Sequence, residues 1–288
     1  MHRKRFLWKL RGRELQLGDR TLIMGVLNLT PDSFSDGGRF DDPDRGYAHA
    51  LELEQQGADI LDIGAESMRP GATPISEEEE SRRLIPVLKR LRDKLAIPIS
   101  VDTYKSGIAE RAIELGAEII NDPTGLTFDP RMVKVVAEKD AGLVLNHMRG
   151  TPQTWAKLPS LSDPMGTVLQ DLRAALHRAY KSGVDPKRVV VDPGLGFGKR
   201  KDENSALLAQ LHRLASLEVA VASGPSRKSF LNQTESKGLL MATAAAVTAS
   251  ILEGAHIVRV HDVAEMVPVI QVADAILRAA AEVSQGAV

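Results

Sequence analysis

Eight short apolar runs recur along the chain, and almost every one stops at a residue able to bind or catalyse. Leu22–Leu27 ends on Asn28, Ile97–Val101 on Asp102, and Glu118–Ile120 on Asn121-Asp122. Gly142–Leu145 ends on Asn146-His147, and Val189–Val191 on Asp192. Ile60–Ile63 leads into Glu66 and Arg69, Val219–Ala222 into Ser226-Arg227-Lys228, and His256–Val260 encloses Arg259 and ends on His261-Asp262. Apolar runs of this length, a few tens of residues apart, suit the parallel strands of βα units. Polar chemistry at so many strand ends predicts an α/β fold, a (β/α)8 TIM barrel with one working rim. An open doubly wound sheet is the rival, but it would gather its ligands at a single switch point.

The intervening segments read as helices, roughly Arg45–Gln56, Ser106–Leu115, Pro130–Glu138, Pro164–Ser182, Asn204–Ser216, Leu239–Glu253 and Val263–Val283. Ser76-Glu77-Glu78-Glu79 opens another, with Ser76 as N-cap, Glu79 reaching back, and Glu78/Arg82 and Glu79/Arg83 as i,i+4 pairs. Gly57, Gly116, Gly183 and Gly254 sit where a helix C′ residue belongs. Phe6–Leu10 and Glu14–Leu17 read as two short strands turning at Arg11-Gly12, a hairpin able to plug the bottom of the barrel. No Pro/Ser-rich linker divides the chain. It reads as a single domain, residues 1–288, with the hairpin in 1–20 and the barrel in 21–288.

Composition narrows the function. A formal net charge of −1 requires no nucleic acid and no anionic membrane as partner. There is no cysteine, hence no thiolate nucleophile or thiolate zinc site, which fits a reducing, cytoplasmic setting. No apolar run approaches a membrane span. The seven histidines include no H-E-x-x-H spacing, and there is no G-x-S-x-G elbow. His147 and His261, at strand ends, are the histidine candidates.

The loops carry the chemistry. Residues 28–38 form a polar, turn-rich stretch closed by Gly37-Gly38, suited either to a mobile lid or to an ordinary connection. Arg69 beside Pro70-Gly71 suits an anion or a surface ion pair. Asp192, ending an apolar strand before Pro193-Gly194-Leu195-Gly196-Phe197-Gly198-Lys199, can accept two N–H bonds from a planar aminopyrimidine-like edge. That glycine run lacks the Walker spacing. Ser226-Arg227-Lys228-Ser229 places two cations and two hydroxyls at an expected helix start, an anion site. Arg259 and His261 lie two residues apart on one face of the last strand, as a diphosphate clamp requires. Each motif taken singly is also compatible with ordinary loop hydrogen bonds.

Together the motifs resemble dihydropteroate synthase. The resemblance rests on GVLNLTPDSFSDGG (25–38), Arg69-Pro70-Gly71, Val101-Asp102-Thr103, Ile120-Asn121-Asp122, DPGLGFGK (192–199), Ser226-Arg227-Lys228-Ser229-Phe230 and Arg259-Val260-His261-Asp262. It implies a transferase that joins a 7,8-dihydropterin CH2-diphosphate to p-aminobenzoate. It further implies that diphosphate leaves, that the product is 7,8-dihydropteroate, a folate precursor, and that the enzyme is a homodimer. It implies pterin binding by Asp102, Asn121, Asp192 and Lys228, and diphosphate binding by Asn28, Arg69, Arg259 and His261. Asn28 would also hold Mg2+. Pro70, Phe197 and Ser229 would bind p-aminobenzoate, and Asp36, Asp102 and Lys228 would be catalytic. The pattern departs from the family at Met68, where a hydroxyl residue is usual, at Asn146, where an apolar Met is common, and at Pro123-Thr124. The alternatives are a pterin-binding methyltransferase domain and an inactive pterin-binding paralogue.

Overall fold

The computed structural model describes residues 3–30 and 42–286, with side chains to residue 282. Eight parallel strands close into a barrel: β3 (Leu22–Asn28), β4 (Ile60–Gly64), β5 (Ile99–Asp102), β6 (Ile119–Asp122), β7 (Gly142–Asn146), β8 (Val189–Asp192), β9 (Ala220–Ser223) and β10 (Ile257–Val260). β10 pairs with β3, with Ile257 opposite Leu22 and Val260 opposite Gly25, so no edge is left open. Closure rules out the doubly wound alternative. The helices are α1 (Pro43–Gln55), α2 (Glu77–Leu91), α3 (Ser106–Glu114), α4 (Met132–Glu138), α5 (Pro164–Lys181), α6 (Lys201–Ala209), α7 (Ser236–Leu252) and α8 (Val263–Gly286). Among the described residues, no helix is long and apolar enough to cross a membrane.

Strand periodicity sorts the side chains into two cores. Alternate residues face outward: Ile63, Val101, Ile120, Leu145, Val191 and Val258 pack against the helices. The intervening residues face the lumen. There Met24, Ile60, Ile119, Val144, Val190 and Ile257 form a separate apolar cluster with Trp8, Leu10 and Leu17. The last three come from the N-terminal hairpin, β1 (Phe6–Lys9) with β2 (Glu14–Leu17), which stoppers the bottom of the barrel as its sequence predicts. Trp8 is 1% exposed, and its indole N–H donates to the carbonyl of Arg188 at 2.8 Å. Arg3 ties the same end to the barrel, donating to Thr21 Oγ1, the Ala255 carbonyl and buried Asp274.

Most local signals hold, with corrections at α2 and α6. Gly57, Gly116, Gly183 and Gly254 all have positive φ after helices. Ser76 caps α2 by accepting from the Glu79 N–H at 3.1 Å, but the Glu79 carboxylate does not reach back. It binds Arg82 and Arg83 instead, because two guanidinium groups outcompete one orphan N–H. The segment expected as one helix over 204–216 splits into α6 and a 3-10 stretch over Leu211–Leu217.

The hairpin stopper predicts that Trp8→Ala lowers unfolding free energy by about 3–5 kcal/mol in urea titrations, from lost burial and an unfilled cavity. A change below about 1 kcal/mol would mean that the hairpin merely rests on the barrel.

Candidate active site

Two residues above the apolar layer, the lumen turns polar. Ile60 is followed on the inner face by Asp62, Ile119 by Asn121, Val144 by Asn146, Val190 by Asp192, and Ile257 by Arg259. The two-residue strand period therefore turns five polar side chains from five strands into the lumen above the apolar layer. Asp62 is fully buried and is their hub. It accepts from Ser100 Oγ at 2.5 Å, Asn121 Nδ2 at 3.1 Å and Arg259 Nε at 2.6 Å. Arg259 Nη2 donates at 2.8 Å to Asp102, and Asn146 Nδ2 donates at 2.6 Å to Asn121 Oδ1. A cavity of about 300 Å³, counting its open mouth, lies over this layer. Asp102, Asn121, Asn146, Asp192, Lys228 and Arg259 supply its polar walls.

The predicted pterin group is thus brought together, with Asp62 and Ser100 added. Asp62 escaped the strand-end reading because it lies inside an apolar run. Its signal was an acid placed two residues after Ile60, on the inner face. Arg259 lies on β10 and His261 just past its end, and the Arg259 guanidinium turns to the two carboxylates. His261 stands above it, its Nδ1 3.0 Å from Ser226 Oγ. Asn28 ends β3 opposite Gly64, one inward step above Val26, which lies opposite Asp62. Asp36 lies outside the described residues.

The glycine-rich loop after β8 is built by its own polar groups. Asp192 Oδ1 accepts from the Gly194 N–H at 2.6 Å. Gly194 has φ +66°, and a Cβ there would lie 1.9 Å from the His147 carbonyl, so only glycine fits. Lys199 is not an anion ligand. Its ammonium is buried among the carbonyls of His147, Gly194 and Phe197 at 2.7–3.2 Å, stapling the loop to the end of β7. Phe197 is held between neighbours: Trp155 stacks on it at 5.7 Å, and Lys228 Nζ lies 4.0 Å from its ring centre. Trp155 carried no sequence signal, because it belongs to a 3-10 turn in the β7–α5 loop.

Several candidates are placed otherwise. His147 follows Asn146 and points away from the lumen, with Nε2 3.0 Å from Asp171 of α5. The expected helix start at Ser226–Ser229 is a single 3-10 turn over Ser229–Leu231, and α7 begins only at Ser236. Arg227 pairs with Asp262, and Ser229 is exposed. Arg69 and Pro70 are exposed on the β4–α2 loop, which is strapped to the β7–α5 loop by Gly71 N–H to the Pro152 carbonyl and Gln153 Nε2 to the Ala72 carbonyl.

Burial shapes the electrostatics. It pushes the Asp102 carboxyl up to about 7, against the pull of Arg259 and with the help of Asp62. It also raises Asp192, opposed first by the Gly194 N–H and then by Lys228 and Lys199. Burial lowers Lys228 to about 8, reinforced by Arg259 and opposed by Asp192 and Asp102. His261 falls to about 3 through burial and the fields of Arg259, Arg227, Lys228 and Arg69, and is therefore a neutral imidazole under a cationic rim. The arrangement combines an acceptor-rich floor for a flat N–H-bearing heterocycle with a positive mouth for an anion.

Residues 24–261 match the family profile described as pterin binding enzyme. The dihydropteroate synthase of Synechocystis is 43% identical over 265 residues, covering 91% of this chain and 92% of that protein. The Xanthomonas albilineans dihydropteroate synthase solved with 4-aminobenzoic acid superposes with a TM-score of 0.87 at 40% identity, covering 95% of this chain and 98% of that one. The same enzyme in complex with 7,8-dihydropteroate gives 0.84 at 38% identity, covering 94% and 98%. With identity and fold matching over nearly its full length, the chain belongs to the dihydropteroate synthase family of pterin-binding enzymes.

Proposed function

We propose that the chain condenses a 6-CH2-diphosphate of 7,8-dihydropterin with p-aminobenzoate, yielding 7,8-dihydropteroate and diphosphate. One observation carries this reading: the inward polar layer centred on Asp62, with Asp102, Asn121 and Asp192 facing the cavity beneath a cationic rim. Asp192 and Asn121 bind the pterin ring edges, and Lys228 binds them from the β9 side. The exocyclic C–O bond breaks, and diphosphate takes the electron pair. Asp102 stabilises the positive charge left on the pterin CH2. The aniline nitrogen then donates its lone pair to that carbon and afterwards loses a proton to solvent. An aniline needs no activated nucleophile, so preorganised charge supplies the catalysis. Asp36 is assigned the same cation-stabilising role on the evidence of its motif.

Arg69 and the neutral His261 receive the leaving diphosphate, and Arg259 adds charge from below while holding Asp62 and Asp102 in place. Among the described residues, no group of three acidic or histidine side chains could hold a metal. The Asn28 carboxamide oxygen, a hard ligand at the end of β3, would help hold a hydrated Mg2+ beside the diphosphate. When bound, that ion would neutralise the leaving group. Pro70 and Phe197 flank the p-aminobenzoate ring, and the exposed Ser229 hydroxyl binds its carboxylate. A homodimer in the cytoplasm completes the reading. Met241, Val272 and Ile276, on the packed pair α7 and α8, are 59%, 61% and 49% exposed, and a second copy would cover them.

Turnover is the first test. Purified protein with Mg2+, the pterin diphosphate and labelled p-aminobenzoate should form dihydropteroate; bound pterin without product would overturn the proposal and leave a methyl-transfer or inactive role. Asp192→Asn should weaken pterin binding about 10- to 100-fold by calorimetry, the worth of a charge-assisted hydrogen bond. An unchanged affinity would remove Asp192 from the site. Because catalysis needs Asp102 ionised and Lys228 protonated, kcat/KM should rise with pH through about 7 and fall above about 8. These limbs belong to the coupled Asp102–Arg259–Lys228 set. Asp102→Asn should abolish the acid limb, and a wild-type profile flat from pH 6 to 9 would contradict the assignment.

A further inference from the structure

Asn146 ends β7 on the inner face, 7% exposed, in register with Asp192 of β8. Its amide orientation is dictated from a distance. Asp62, held by Arg259, presents oxygens, so Asn121 must turn its NH2 toward it. The Asn121 oxygen then faces Asn146, which must answer with its own NH2. That group donates to Asn121 Oδ1 at 2.6 Å and to the Asp122 carbonyl at 3.3 Å. Both N–H bonds of Asn146 are therefore used. Its Oδ1 accepts no hydrogen bond among the described residues, is not one of the sealed buried atoms, and belongs to a side chain that lines the cavity.

This oxygen stands one strand away from the Asp192 carboxylate, and adjacent strands lie about 4.8 Å apart. Two acceptors that each bind one hydrogen of a planar NH2 group, 120° apart at about 2.9 Å from its nitrogen, are separated by about 5 Å. The spacing of the two strands, with both side chains lining one cavity, is of that size. We infer that Asn146 is a specificity-determining residue: its carbonyl accepts the second hydrogen of the pterin 2-amino group, whose first hydrogen goes to Asp192. This rests on the pterin reading above and adds a contact to it. The Asp62–Asn121–Asn146 relay would then transmit the orientation of one carboxylate to a third strand, so that the pocket recognises an amino group by two acceptors on adjacent strands.

Two experiments test the inference. Calorimetry compares 6-hydroxymethyl-7,8-dihydropterin with its 2-deamino analogue on wild type and Asn146→Leu. The wild-type preference for the amino compound should shrink about 3- to 10-fold in the variant, the worth of one neutral hydrogen bond. A variant that only disturbed pocket shape would weaken both ligands equally and keep the preference, which would overturn the inference. If neither ligand bound wild type, the pterin reading itself would fail. The second experiment needs no variant: the pterin labelled with 15N at its 2-amino group is bound to wild-type protein. Two resolved, exchange-protected N–H resonances are expected, and a single averaged or fast-exchanging signal would contradict the second acceptor.

Discussion

The site depends on a buried charge arrangement, Arg259 held between Asp62 and Asp102 inside the barrel. A guanidinium in the lumen would be strongly unfavourable alone, and so would the fully buried Asp62 carboxylate; pairing with good geometry and added hydrogen bonds offsets these penalties, and removing either partner would leave a buried charge uncompensated. The pair joins β10 to β4 and β5 across the interior. Once Asp62 is fixed, every neighbouring polar group has its orientation chosen for it. Ser100 donates to it, Asn121 turns its NH2 to it, and Asn146 follows Asn121. A satisfied network of this kind is stiff, because breaking one link leaves a buried group without a partner.

The barrel supplies the geometry that makes this possible. A two-residue period and a closed ring of parallel strands put inner-face residues of different strands in contact across the lumen, although they are tens to nearly two hundred positions apart in the chain. Below the polar layer the hairpin seals the lumen with Trp8, Leu10 and Leu17. The low-dielectric floor strengthens each hydrogen bond and disfavours the charged form of each titrating group, which explains why Asp102 is raised and Lys228 lowered toward each other in pKa.

Much of this was legible in the residues themselves. Strand-end polar residues announced the barrel, and Asp102, Asn121, Asp192 and Lys228 do share one cavity. The reading failed where a side chain's direction, not its position, decided its part. His147 follows Asn146 by one residue and so faces the opposite way, toward Asp171. Lys199, to which the sequence assigned no role, is held by three carbonyls and staples the glycine-rich loop. Arg259 reads as a rim clamp, and here its guanidinium is paired with Asp62 and Asp102 beneath it. Asp62 was hidden because end-of-run reasoning ignores an acid in the middle of a run. Asn146 was flagged only as out of pattern, and its hydrogen bonds give it a place in the network.

The central claim is that Asp62, never touching the reacting atoms, organises the pterin floor through Arg259, Asn121 and Asn146. Asp62→Asn keeps the shape but replaces an acceptor-only group with one that also donates. Calorimetry of this variant with 6-hydroxymethyl-7,8-dihydropterin, alongside a thermal melt to verify folding, is the most direct measurement. The account predicts a folded protein whose pterin affinity falls at least about tenfold. A folded variant that binds pterin as tightly as wild type would contradict it.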